Sequence, residues 1–233
     1  MDSIKKTARL AGILYLLGAL TAPFALIYVP GKLLVPGDAT ATGNHLRAFG
    51  TLLRMGIAAE LLGFTVSIFV ALVLYRLFKA VSQKNALALL ILSLLSVPIS
   101  LLNMLNEVAA LKLAAGAANF LSVFDAPQRD ALAYLFLSLH GHGFTVAQIF
   151  WGLWLFPFGV LVIRSGFIPR FLGVLLIIAG VGNLASAVTA LVLPQYVDRV
   201  SPFATALAFG EMPIIFWLLI WGAKPQPAAA QPS

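Results

Sequence analysis

The stretch TLLRMGIAAELLGFTVSIFVALVLY, Thr51 to Tyr75, decides the fold, because Arg54 and Glu60 are its only charged residues. At about 1.5 Å per residue, a helix of this length reaches roughly 37 Å, more than the ~30 Å hydrocarbon core of a bilayer. A backbone crossing lipid must satisfy its own polar groups, so such a run reads as a transmembrane helix. Upstream, Leu10 to Val29 is a second run of spanning length, and PGKLLVPGDATATGN, Pro30 to Asn44, reads as a Gly/Pro-rich connection. Downstream follow Ala86–Leu111, Ala131–Ile163, Phe171–Leu193 and Phe203–Gly222.

Together these runs predict an all-α integral membrane bundle of six transmembrane helices over 1–223, with spans at about 10–29, 51–75, 86–111, 131–163, 171–193 and 203–222. The fourth run exceeds one span, which predicts tilt, a bend near Pro157 or an inner extension. The tail KPQPAAAQPS, 224–233, has the composition of a disordered segment. The whole chain is 61% hydrophobic and 10% charged, against roughly 45–50% and 25% in soluble domains. Lys5, Lys6 and Arg9 precede an apolar run too long for a signal peptide and without an A-x-A site, so the first helix is expected to stay as an anchor.

Charge sets the orientation. With the N-terminus inside, nine of the fifteen Lys and Arg residues are cytoplasmic, and the short connections carrying Arg76, Lys79, Lys84, Arg164 and Arg170 hold no acid. The positive-inside rule therefore places both termini in the cytoplasm. The net charge of +7 follows from this topology, and a nucleic-acid partner is not expected; the lipid bilayer is the expected partner.

Acids divide by type. All five aspartates are expected in connections or at termini, whereas all three glutamates, Glu60, Glu107 and Glu211, fall within spans. Counted from the outer helix ends, Glu60, His140, Asn183 and Glu211 lie about eight to ten residues in and Glu107 about four to six, or roughly 6 to 15 Å deep. In the third span Ser93, Ser96, Ser100, Asn103 and Glu107 recur at spacings of three and four and form one stripe, which lipid drives to the bundle interior.

The two histidines of LFLSLHGHGFTVAQIF, Leu135 to Phe150, are about 200° apart on a regular helix, so they cannot both face one centre. His140 is taken as the inward one. Gly141 and Gly143 could unwind the helix and reunite the pair, but glycine in spanning helices more often serves close packing. Interhelical hydrogen bonds average about 0.6 kcal/mol, whereas an ionised acid at mid-span costs roughly 2.5–3.5 kcal/mol. Stability alone is a poor reason to keep three glutamates there.

Several segments resemble a bacterial membrane-protein family known by the label domain-of-unknown-function family 4386. They are KKTARLAGILYLL at the start, LRMGIAAELLGFTVSIFVALVLYRLFKAV in the second helix, SVPISLLNMLN in the third and QIFWGLWLFPFGVLVIRSGFIPRFLGVLLIIAG across the fourth and fifth. The resemblance covers most of the chain and implies a six-helix protein of the bacterial inner membrane. It carries no activity with it. His140 and Glu211 match the family pattern, Glu60 stands where an acid is found, and His142 and Glu107 are less typical.

Other motifs yield to plainer readings. GVGNLA, Gly180 to Ala185, fits the dinucleotide fingerprint formally but lies inside a spanning run, where small residues pack helices. LVLYRLFK, Leu72 to Lys79, meets a proposed sterol-contact pattern, though an interfacial Tyr75 with snorkelling Arg76 and Lys79 explains it better. Trp217 and Trp221 read as an inner aromatic belt. Arg9 and Arg170 open two similar short segments that hint at a repeat. There is no cysteine, so no thiolate ligand, and no H-E-x-x-H, G-x-S-x-G, P-loop or di-iron E-x-x-H pattern occurs, which leans against an enzyme.

The leading functional reading is a polar cavity in the outer half of the membrane, lined by Glu60, Asn103, Glu107, His140 and Glu211, that binds an ion, proton or small polar ligand as a carrier or sensor. Two alternatives stay open. One is an intramembrane metal-dependent hydrolase with a divalent metal such as Mn, Fe or Zn, for which His140 is the foremost ligand. The other is a structural or partner-binding membrane module.

Overall fold

The computed structural model describes residues 2–116 and 119–223; Lys224 and the tail 224–233 lie outside the described residues. It is all-α, and six stretches are long and apolar enough to cross a membrane: Ser3–Leu33, Gly50–Phe78, Gln83–Ala115, Ala126–Ser165, Arg170–Val192 and Pro194–Ile220. The protein is thus a multi-pass membrane protein. Large apolar side chains such as Leu20, Leu102, Leu105 and Phe203 are at least 61% exposed, as lipid-facing residues should be.

The first span runs through α1 (Asp2–Pro23), a π turn (Phe24–Tyr28) and α2 (Val29–Leu33). The π turn sits between Pro23 and Pro30, where the proline rings and their missing N–H groups disturb the regular ladder. Helix α3 (Ala39–Ala48) follows, then α4 (Gly50–Phe78), α5 (Gln83–Ala115) and α6 (Ala126–Leu153). The chain continues through α7 (Leu155–Ser165), α8 (Arg170–Val192), α9 (Val197–Ala208), a 3₁₀ turn (Phe209–Glu211) and α10 (Met212–Ile220).

Three differences from the sequence reading have physical causes. Part of the Gly/Pro-rich connection is helical: Asp38 accepts a hydrogen bond from the Ala41 N–H and caps α3. Two aspartates expected in connections, Asp130 and Asp198, lie in α6 and α9, and Asp130 is buried at 3% exposure because Arg47 pairs with it. The fourth span is interrupted at Trp154, three residues before Pro157, whose absent N–H leaves the Leu153 carbonyl without its helical donor. Trp154 keeps right-handed dihedrals (φ −67, ψ −23), so the interruption is slight, and Gly166 at φ 70 then ends α7.

The chain divides into two compact units: Met1–Leu16, Ser67–Leu95 and Gln148–Ser233 form the first, and Leu17–Val66 and Ser96–Ala147 the second. In the first unit an aromatic chain runs Tyr15–Trp154–Phe158–Phe78–Phe167, with successive ring centroids 5.6 to 5.8 Å apart. Glycines let helix backbones approach there: a Cβ at Gly180 would lie 2.9 Å from the Gly152 carbonyl oxygen, and one at Gly182 2.7 Å from that of Ala204. The glycines of the GVGNLA segment are therefore packing residues.

The second unit has its own apolar core, in which Val29, Leu33, Leu46, Leu53, Ala110 and Ala133 are at most 2% exposed. Helix α3 and the turn before it are tied to α6 at two places. The Gly37 N–H donates to the Tyr134 hydroxyl, and Arg47 holds Asp130 through two hydrogen bonds, Nη1 to Oδ1 at 2.6 Å and Nη2 to Oδ2 at 3.0 Å.

Candidate functional site

Helices α4, α5 and α6 each bring one ionisable side chain to a common point in the second unit. Glu60, Glu107 and His140 are 4%, 1% and 6% exposed, and one ligand atom of each lies within 4.8 Å of the others. The imidazole stands between the acids: Nε2 is 3.3 Å from Glu60 Oε1 and 3.4 Å from its Oε2, and Nδ1 is 3.9 Å from Glu107 Oε1. Glu60 Oε1 and Glu107 Oε2 are buried without a hydrogen-bond partner. A buried Glu–Glu–His triad of this kind could bind an ion.

Asn103 sits one helical turn before Glu107 on α5. Its side-chain amide donates to the His140 carbonyl oxygen at 2.8 Å, and its Oδ1 accepts from Asn106 at 3.0 Å. Asn103 therefore positions the α6 backbone at His140 instead of joining the cluster of charged groups. The space it fills exists because residue 143 is glycine: a Cβ there would collide with the Asn103 amide, whereas one at Gly141 would meet nothing within 4 Å. Gly143→Ala is expected to cost roughly 1–3 kcal/mol through overpacking and to lower the thermal midpoint in detergent, while Gly141→Ala, removing a helical glycine from open space, should hold or raise it. Equal midpoints for the two variants would contradict this role for Gly143.

The buried stripe on α5 is also present. Ser96 and Ser100 are each 3% exposed, and the Ser100 hydroxyl is buried without a partner. Beside the triad lies a cavity of about 30 Å³ lined by Pro30, Leu33, Leu34, Leu53, Leu137, Glu107 and His140. Water needs at least ~10–15 Å³ measured this way, so the cavity accepts one or two waters or an ion and no organic molecule.

His142 is exposed and hydrogen-bonds through Nδ1 to the Ser138 carbonyl at 2.8 Å. Helix α6 runs unbroken through Gly141 and Gly143, so the two histidines diverge as their spacing requires. Glu211 belongs to the first unit, in the 3₁₀ turn between α9 and α10, where the Tyr15 hydroxyl donates to its carboxylate. Asn183, also in that unit, accepts from Gln148 at 3.2 Å and donates to the Ala179 carbonyl at 3.1 Å.

Two partnerships had no visible signal in the sequence. Tyr15 is one aromatic among many in an apolar helix, and nothing in its spacing points to Glu211. Arg47 and Asp130 are 83 positions apart and each resembles an ordinary connection charge. In the folded chain the hydrogen bond to Asp130 raises the pKa of Arg47 above its ordinary value, helped by Coulomb attraction and opposed by burial.

Over residues 10–222 the sequence matches the family described as Domain of unknown function (DUF4386). A protein of Archaeoglobus fulgidus described as uncharacterized is 33% identical over 91 residues, which is 37% of this chain and 51% of that protein. The chain thus spans about half the length of that relative. No solved structure matches.

Proposed function

The chain belongs to the DUF4386 family, and we propose that it binds a cation within the membrane, as a carrier or sensor, at Glu60, Glu107 and His140. The observation that carries this reading is the convergence of three ionisable side chains from three helices, with their ligand atoms within 4.8 Å, beside a cavity of about 30 Å³. Structural hydrogen bonding is a weak alternative. Two carboxylate oxygens of the set, Glu60 Oε1 and Glu107 Oε2, make no hydrogen bond among the described residues, and a buried polar group without one costs about 1–3 kcal/mol. A cation would satisfy both.

The size of the cavity favours an ion over a small organic ligand, and it disfavours the hydrolase reading, since organic substrates occupy sites of roughly 300 Å³ or more. The positive-inside rule supports cytoplasmic termini, which would place the triad in the outer half of the bilayer. Asn103 then serves as a positioning residue, and within the first unit Glu211 pairs with Tyr15.

Thermal unfolding of purified, chelator-treated protein in detergent tests the reading with Na⁺, Mg²⁺, Ca²⁺, Mn²⁺ and Zn²⁺. At least one cation is expected to raise the midpoint saturably; a ligand at a hundred times its Kd adds about 2.7 kcal/mol. Glu60→Gln and His140→Gln should each abolish the shift. A midpoint that no cation moves would leave the triad as structural glue.

A further inference from the structure

We infer that the ion is a divalent first-row transition metal, of the class of Mn²⁺, Fe²⁺ or Zn²⁺, ligated by Glu60, Glu107 and His140 with water in its remaining positions. This inference rests on the cation-binding reading and narrows it. The donor set is the first reason: alkali and alkaline-earth ions prefer all-oxygen shells, whereas an imidazole nitrogen beside carboxylates suits Mn, Fe or Zn. Charge is the second. Among the described residues the ion pairs of Glu60 and Glu107 are with His140 alone; with both carboxylates ionised and the imidazole neutral, as ligation requires, one divalent cation cancels their charge.

Geometry is the third reason. His140 Nε2 is almost equidistant from the two Glu60 oxygens, at 3.3 and 3.4 Å, which is long for an N–H···O bond whose usual length is about 2.9–3.0 Å. Two donors bound to one ion at ~2.1 Å stand roughly 3.0 to 3.4 Å apart at octahedral to tetrahedral angles. The Glu60–His140 separation thus fits an edge of a coordination shell better than a hydrogen bond. Glu107 stands on the Nδ1 side of the ring, with Oε1 3.9 Å from Nδ1, and its buried Oε2 makes no hydrogen bond, so it is the donor that must move to reach an ion shared with Glu60. The adjoining cavity, which Glu107 and His140 both line, supplies room for the waters that complete the shell.

The Asn103 amide holds the backbone carbonyl of His140 at 2.8 Å and so fixes the turn of α6 that carries the imidazole. No coordination partner comes from cysteine, because the chain has none.

Elemental analysis tests the inference. Full-length protein in detergent is stripped with chelator, exposed separately to Mn²⁺, Fe²⁺ (anaerobically) and Zn²⁺, desalted and measured. About one metal per chain is expected for at least one of the three, falling at least ~10-fold in His140→Gln and Glu60→Gln, with His142→Ala, which alters an exposed neighbour, unchanged. Size-exclusion profiles and the thermal midpoints of the metal-free variants establish that they are folded; if either fails to fold, Asn103→Ala takes its place, with a smaller loss of metal expected. Metal that persists equally in the folded triad variants, or vanishes equally in His142→Ala, would overturn the site. If the protein takes up none of the three metals while Na⁺, Mg²⁺ or Ca²⁺ still shifts its midpoint in a Glu60-dependent way, the transition-metal inference falls and the cation reading stands. If no cation has any effect, both fall.

Discussion

Arg47→Ala is expected to destabilise the protein by about 2–3 kcal/mol, because it strands a buried carboxylate. The Asp130 side chain is 4% exposed, whereas that of Arg47 is 39% exposed, so the two halves of the pair are not equivalent. Removing the arginine leaves an anion with little access to water. Removing the acid leaves a cation that can turn to solvent. Asp130→Asn should therefore cost less, roughly 1 kcal/mol, and the double variant should be more stable than Arg47→Ala alone, since the stranded charge is gone. Lysine at position 47 keeps the charge but loses the two-pronged contact, and should fall between wild type and alanine. The figure for Arg47→Ala is set below the ~3–5 kcal/mol of a fully buried pair because the guanidinium is partly solvated. Thermal or denaturant unfolding of the four proteins in one detergent measures the cycle. A smaller loss in Arg47→Ala than in Asp130→Asn would show that the pair does not hold α3 to α6 in this way.

The same pair marks a boundary of what the amino-acid sequence reveals. The spans were legible because hydrocarbon thickness imposes one length on every crossing helix, and runs such as Thr51–Tyr75 meet it with only two charges. Helix α3 was not legible, since its glycine and neighbouring prolines argue for a connection and its stability comes from the Asp38 cap and the tie between Arg47 and Asp130. Those are tertiary facts. Within the candidate site the depth of Glu60, Glu107 and His140 is countable, and the α5 stripe gives the inward direction of Glu107, because lipid penalises any other direction. Glu211 lies at a similar counted depth. Its carboxylate is bonded by Tyr15, a partner that no periodicity identifies. Asn103 lies on the α5 stripe and its partner is a backbone carbonyl, and a pattern of side chains says nothing about which main-chain group an amide will reach.

A large effect from a single added carbon is expected where α7 meets α8. A Cβ at Gly159 would lie 2.6 Å from the Gly173 carbonyl oxygen, and a Cβ at Gly173 would lie 2.6 Å from that of Gly159. The contact is reciprocal and backbone to backbone, so no side-chain rotation relieves it. Seven residues away along each strand of the chain, Gly152 and Gly180 repeat the arrangement, with a Cβ at Gly152 3.1 Å from the Gly180 oxygen and one at Gly180 2.9 Å from the Gly152 oxygen. Two glycine pairs in antiparallel register thus set the approach of the helices, as small residues do wherever apolar lipid provides no drive for association beyond packing. Gly159→Ala should cost about 2–3 kcal/mol, the upper range for overpacking, against a helix-propensity gain of up to ~1 kcal/mol that alanine would bring at an open position. Gly173→Ala should cost a similar amount. Because either substitution forces the same separation, the double variant should lose clearly less than the sum of the two, a coupling that independent sites would not display. Gly152→Ala, with more room at the carbonyl, should be the milder change. Unfolding midpoints of these proteins decide the matter: additive losses at Gly159 and Gly173, or a neutral alanine at either, would mean that the helices are held apart by other residues and that the glycines merely fit between them.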